Sequence, residues 1–453
     1  MTTALPDGPR MAPLAQTLRW GLRPDAFMDE CRARHGDAFT CRFAGLGEAV
    51  FLSDPAAARA LFTAASDDFR AAKTKFLRPI LGDHSVLCLD GEAHLRQRRL
   101  LLPALHGEHL RRMRSTIEAL TDREVATWPE GRSLALAPRM RRVALDVILT
   151  VVFGLHERRA RDRLQALVGR LQRAGHNPLQ LARLSLLRRD LAAPPHPRSG
   201  LGRLLAAIDV EILALVAERR ARPRAEPDVL SMLLGARDED DAPMSDRELR
   251  DELMTMLLAG HETTAASLAW ALERLVRHPA AWDRLRTEAA ATGTGPWAEA
   301  VVAEALRVRP VLWLSGRRLV RDVQVGDHAL PAGTLAYVCS YLLHTRADLW
   351  PEPRRFAPER FLGPRPDAYT FIPFGGGRRR CIGAAFAEME MRAVLSRIAA
   401  RADLVAEDGR DERMVRRGYV IAPARGTRVR VRRLEGSPAP VKHDTDQQEK
   451  SRC

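Results

Sequence analysis

The chain has 453 residues, 46% hydrophobic and 28% charged, and its 72 Lys and Arg against 57 Asp and Glu give a net charge of +15. Such a balance excludes a mainly disordered polymer, and the length suits about three domains or one large single-core enzyme. Only Lys73, Lys75, Lys442 and Lys450 are lysines, so the basicity belongs to arginine and reads as coding bias rather than a nucleic-acid surface. No zinc-finger or RNP-like aromatic pattern supports nucleic-acid binding. The six cysteines show no CxxC spacing, which argues against a disulfide framework. Residues Met1–Arg10 contain no apolar export segment, and no run approaches the ~18 apolar residues of a membrane span. A soluble, cytoplasmic protein without a transmembrane segment is expected.

Along the chain, a β-branched run at Glu48–Ser53 ends at Asp54-Pro55, among short helical stretches. From Gly91 to Arg309 apolar residues recur at three and four, which predicts helices. Ala193–Gly200 is too rich in proline to continue a helix, and Asp238–Pro243 is an acidic loop. Ser245-Asp-Arg-Glu248 forms a capping box that should start a long helix. Val323–Thr334 reads as a β-hairpin bounded by Gly and Pro. A proline-rich coil follows over Trp350–Pro366, then a glycine-arginine loop, a helix from about Gly383 and a β-rich piece at Gly418–Val431. The pattern predicts one mainly helical α+β domain with small sheets over residues 10–433. Residues 1–9 and 434–453 read as polar tails, the latter disordered.

Phe374-Gly-Gly-Gly-Arg-Arg-Arg-Cys-Ile-Gly383 is the most informative stretch. Its glycines permit a tight turn and close approach to a bulky partner. Cys381 stands just before a helix N-terminus and beside arginines, which favours an anionic sulfur. A small buried hydrophobe is the alternative for a lone cysteine. A phosphate-cradling loop is disfavoured, since no Lys-Ser/Thr follows. Ala259-Gly-His-Glu-Thr-Thr264 places polar residues inside an apolar helix, where they are costly without purpose. It is no zinc-protease motif, because residue 265 is Ala rather than His.

The pattern Phe374-x-x-Gly377-x-Arg379-x-Cys381-x-Gly383 resembles the haem-binding signature of the cytochrome P450 family. The resemblance implies the P450 fold, a triangular helical prism around a buried haem b (iron protoporphyrin IX), with Cys381 as axial iron ligand. Arg379 would meet a haem propionate and Phe374 would pack near the sulfur. Glu304-Ala-Leu-Arg307, followed by Phe356-Ala-Pro-Glu-Arg360, matches the family's order and implies a bracing Glu304–Arg307–Arg360 network. The 259–264 segment resembles the oxygen-activation turn, in which Gly260 would open a groove while Glu262 and Thr263 support O₂ and pass protons. His94 and Arg98 carry over as propionate partners, as does Arg318, although Arg317 beside it has the same charge.

The implied activity is monooxygenation: O₂ is activated with electrons from a separate redox partner, and one oxygen atom enters a hydrophobic small molecule. Candidate substrates are a fatty acid, terpenoid, steroid or polyketide-like compound. The electron donor would be a ferredoxin or flavodoxin, with its NAD(P)H-dependent reductase, docking on arginines near Cys381. Pocket walls expected by family position include Phe76, Ala259, Val311, Leu312, Trp313 and Val420, with Arg173–Gly200 as lid. Within the lid, Leu181–Arg189 reads as a packed surface helix rather than a membrane contact. A monomer is expected. The rival activities on this fold are peroxygenase, isomerase and dehydratase; a haem-dependent sensor is the non-enzymatic alternative.

Overall fold

The computed structural model describes residues 5–45, 47–65, 68–72, 74–176, 195–224 and 228–433. The expected tail 434–453, the Leu181–Arg189 helix and most of the expected lid lie outside the described residues. In the expected tail 1–9, Pro6 and Asp7 are tied down. The Thr40 hydroxyl donates to the Pro6 carbonyl at 2.6 Å, and the Thr40 amide to the Asp7 carbonyl at 3.1 Å.

A five-stranded sheet brings residues 38–71 together with residues 314–339. Its spatial order is Ala38–Phe43, Gly47–Leu52, Leu335–Cys339, Leu314–Leu319 and Phe69–Ala71. The pairings are antiparallel except that of Gly47–Leu52 with Leu335–Cys339, where Phe51 lies opposite Tyr337. Side chains alternate between faces along a strand. Ala49, Phe51, Tyr337 and Cys339 therefore share one core with the helices Pro13–Leu22 and Pro24–His35. Val50, Leu52, Ala336 and Val338 share another with the helix Pro55–Thr63. Asp54 starts that last helix by accepting the Ala57 amide at 2.8 Å, as an N-cap does.

The helical half follows the sequence pattern from Gly91–Leu101 to Pro296–Val308. One departure is the strand Ser133–Ala135, which pairs with Arg428–Arg433; that strand also pairs with Ala402–Ala406. The central helix, Asp246–Val276, opens on the expected capping box, with Ser245 and Glu248 bonding reciprocally. It is buried on nearly every side, so its apolar residues run around it rather than in one stripe. It packs against Leu136–Val147, which widens into a π-turn at Ile148–Val152. A Cβ on Gly260 would lie 3.0 Å from Ile148 Cδ1. Gly260 thus leaves room for the Ile148 side chain where the two helices approach. No helix among the described residues is long and apolar enough to cross a membrane.

One ion pair ties the helix Pro296–Val308 to the coil that follows the sheet. Glu304 and Arg307 are fully buried and pair through two bonds of 2.6 and 2.7 Å. Arg307 also donates to the carbonyls of His344 at 2.9 Å, Pro353 at 2.7 Å and Arg355 at 3.1 Å. Glu304 accepts the Ala357 amide at 2.8 Å and lies 3.6 Å from Arg360 Nε. All five guanidinium donors of Arg307 are thereby used, which a lysine could not reproduce. Replacing Arg307 with Ala should cost about 3–5 kcal/mol in chemical unfolding, because buried Glu304 would lose its two-bond partner and keep only the longer Arg360 contact. Glu304→Leu combined with Arg307→Leu should lose less than the two single changes added together.

Candidate active site

The glycine loop is shaped by one phenylalanine. A Cβ on Gly376 would stand 2.2 Å from the Phe62 ring, and one on Gly377, at φ +65°, would stand 2.0 Å from the Phe62 carbonyl oxygen. Only glycine fits either position. The Arg380 amide donates to Gly377 at 3.0 Å and the Cys381 amide to Phe374 at 2.9 Å, closing the loop. Gly383 differs, since a Cβ there would meet no protein atom within 4 Å. It caps the helix Ala384–Arg401.

Cys381 is exposed, yet protein surrounds it closely enough that burial pushes its thiol pKa up. The Gly383 amide, Arg380 and Arg98 oppose that push without reversing it. The expectation that helix terminus and arginines alone would favour thiolate is therefore corrected: in the protein alone, burial wins. A group both accessible and crowded lines a recess.

Cations converge beside it. His94 is buried, and burial followed by the charges of Arg379, Arg98 and Arg317 pushes its imidazole down to about 4. Arg98 donates to the Arg380 carbonyl at 2.7 Å. Arg379 pairs with Asp90 and the Leu89 carbonyl. Arg317 is 4% exposed, donates to the Gly376 carbonyl at 3.2 Å and lies over Phe69 at 5.1 Å. Its Nε has no hydrogen-bond partner among the described residues, and burial with the charge of Arg379 holds it down at about 10. Arg318 points the other way, exposed, to the Gly333 carbonyl at 3.0 Å. The strand Leu314–Leu319 turns Arg317 and Leu319 inward and Arg318 outward, so the inward arginine is Arg317 and the Arg318 assignment is corrected. Leu319 was the available signal, because residues two apart share a face.

On the central helix, Thr263 is half-buried and its hydroxyl donates to the Ala259 carbonyl at 2.7 Å. Glu262 turns into a buried polar cluster. It lies 3.2 Å from Arg141 Nε and accepts from Gln172 Nε2 at 2.6 Å. Gln172 Nε2 also lies 2.6 Å from His261 Nε2. The Tyr419 hydroxyl donates to the Leu258 carbonyl at 2.5 Å, and burial followed by the charge of Glu262 raises its pKa. Arg141 and Gln172 escaped sequence reasoning, since no local spacing links them to this turn.

Of the expected walls, Leu312 is exposed and Ala259 half-buried. Val311, Trp313 and Val420 are corrected: all are buried in the core on the sheet's face, where Trp313 stacks on Tyr341 at 4.1 Å. The adjacent Tyr419 is exposed, in the turn between the paired strands Met414–Arg417 and Val420–Pro423. The side chain of Phe76 lies outside the described residues.

The overall architecture is that of the haem-thiolate oxygenases. A solved structure of retinoic acid bound cyanobacterial CYP120A1 superposes with a TM-score of 0.81 at 26% identity, over 96% of this chain and 100% of that one. The heme domain of a cytochrome P450DA mutant shares the fold, with a TM-score of 0.82 at 22% identity over 95% and 98%. A family model described as Cytochrome P450 matches residues 6–427. Cytochrome P450 135B1 of Mycobacterium bovis is 40% identical, over 94% of this chain and 91% of that protein. Cytochrome P450 137 of Mycobacterium tuberculosis is 39% identical, over 88% and 84%. The chain belongs to the cytochrome P450 family, enzymes that use haem, O₂ and a redox partner for monooxygenation.

The residues present fit such a group. An accessible thiol and the open space at Gly383 adjoin Arg317, Arg98 and Arg379, whose one carboxylate partner among the described residues is Asp90. Two propionates would answer that excess.

Two outcomes test the assignment. Arg317→Ala should speed haem loss to an acceptor protein about tenfold or more, whereas Arg318→Ala should leave it nearly unchanged. In the haem-free protein His94 is neutral when folded but titrates near 6.5 when unfolded. The unfolded chain therefore binds the extra proton first, and stability should fall as pH drops from about 6.5 to 4. His94→Gln should flatten that slope in thermal melts.

Proposed function

We propose that residues 10–433 form a single catalytic domain in which Cys381 ligates the iron of haem b. His94, Arg98, Arg317 and Arg379 hold the propionates. The observation that carries this reading is the convergence of buried Arg317 and His94 with half-buried Arg98 and Arg379 beside an accessible cysteine. When bound, the haem supplies reductive activation of O₂ and insertion of one oxygen atom into substrate, which a thiolate ligand promotes.

The chain's own part is to place protons and exclude water. Burial holds the Cys381 thiol protonated in the protein alone, and it would bind the metal as the thiolate. Arg380 and Arg98 already lean toward the anion. Thr263 holds its hydroxyl proton on the Ala259 carbonyl and would pass it toward O₂ by turning away from that partner. Glu262 would resupply it through water once it leaves Arg141 and Gln172.

The substrate is a hydrophobic small molecule of the fatty-acid, terpenoid, steroid or polyketide-like kind. The apolar Leu312 and Ala259 support this, with the Tyr419 hydroxyl occupied by its own backbone partner. Electrons come from a ferredoxin or flavodoxin to a monomeric cytoplasmic enzyme. The exposed Arg378 and Arg380 beside the cysteine loop suit an acidic donor.

Cys381→Ala should abolish the thiolate signature of the reduced carbon monoxide adduct; an unchanged spectrum would refute the ligand assignment. Thr263→Ala should lower product formed per reductant consumed by about tenfold, with peroxide released instead. Unaltered coupling would remove Thr263 from proton delivery. A screen of apolar compounds by spin-state shift would identify the substrate class.

A further inference from the structure

The helix Pro13–Leu22 is built inside out. At 100° per residue, Leu14, Leu18 and Leu22 fall within one stripe about 80° wide, with Gly21 just beside it. All three leucines face outward, at 62%, 55% and 72% exposure. On the opposite face Gln16 is fully buried and Trp20 nearly so. Gln16 Nε2 donates to the carbonyls of Pro9 at 3.0 Å and Met11 at 2.9 Å, and its Oε1 accepts the Arg42 amide at 2.8 Å. Those three bonds satisfy the buried amide and fix the helix's rotation. The polar residue is thereby locked inward and the leucines outward.

An exposed leucine is ordinary, but three in register on one short helix form a patch. Its occupant can be argued from area and charge. The stripe offers roughly 300 Å², well below the about 800 Å² per partner of a specific protein interface. A bilayer surface sets no such threshold, because each apolar side chain partitions by itself into the headgroup boundary. Exposed Arg10 and Arg23 flank the stripe at its two ends, and the whole chain carries +15. Basic residues beside an apolar stripe suit anionic lipid headgroups.

We propose that Leu14, Leu18 and Leu22, flanked by Arg10 and Arg23, seat the enzyme peripherally on an anionic lipid surface. The attachment is interfacial, since this helix has only ten residues.

Flotation of the haem-loaded enzyme with vesicles tests this. The wild type should float with equimolar phosphatidylcholine and phosphatidylglycerol and much less with phosphatidylcholine alone. Binding should weaken as salt rises. The triple variant Leu14→Ser, Leu18→Ser, Leu22→Ser should bind about tenfold or more weakly, with its circular dichroism and haem spectrum unchanged. Should the triple variant misfold, Leu18→Ser alone still tests the stripe and should weaken binding several-fold. Val210→Ser, at an exposed position on the helix Gly200–Ala221, should bind as wild type. Absence of flotation, or equal flotation of wild type and leucine variants, would overturn the proposal. So would a wild-type dimer in light scattering that the leucine substitutions dissociate, since the occupant would then be a second copy. These readouts do not depend on turnover, so their failure leaves the proposed function standing.

Discussion

Charge without an answering charge is the constraint around which this molecule is arranged. Arg98, Arg317, Arg379 and His94 converge near the cysteine loop, and among the described residues Asp90 is the one carboxylate paired there, with Arg379. Burial of like charges is expensive, and the protein bears it by neutralising His94 and leaving Arg317 Nε without a partner. A dianionic planar group offsets all of it at once. In the proposed assignment the same contact would bring the metal to the only accessible cysteine among the described residues. Stability and cofactor specificity are thus linked through one electrostatic imbalance.

That imbalance needs a rigid frame, because repelling side chains would otherwise swing apart into water. The frame comes from two directions. Phe62 presses the glycine loop from one side, leaving no room for a Cβ at Gly376 or Gly377. From the other, the buried Glu304–Arg307 pair fastens a helix to the carbonyls of His344, Pro353 and Arg355. The second device is costly to desolvate and works only because every donor is used. It fixes the path of the coil leading toward the cysteine.

Much of this was legible in the sequence, and the reasons differ by element. Ser245 to Glu248 is a local capping signal, so the start of the central helix could be read directly. The cysteine loop was equally plain, since its glycines and cysteine act within ten residues. Arg317 against Arg318 was readable in principle from strand alternation, yet family alignment pointed to the outward residue. The cluster around Glu262 was not readable. Arg141 and Gln172 reach it from helices far away in sequence, and nothing local marks them. Val311, Trp313 and Val420 failed for a related reason: apolar character marks a core residue and a pocket wall alike, and only packing tells them apart.

The arginine bias, which composition alone assigned to coding, also acquires a physical use. Arginine repeatedly caps backbone carbonyls that would otherwise be unsatisfied: Arg307 at three sites, Arg346 at Ser53, Arg250 at Leu81, Arg98 at Arg380 and Arg317 at Gly376. A planar fork with five donors can bond a carboxylate and a carbonyl together, whereas an ammonium concentrates three donors at one point. Arg346 does this at the sheet's edge, joining Asp348 and the Ser53 carbonyl. Arg250 does it at the central helix, joining Asp209 and the Leu81 carbonyl. Whatever set the codon usage, the fold has come to depend on the guanidinium's geometry. Substituting lysine across this chain would keep its charge and lose the tertiary contacts that hold its loops to its helices.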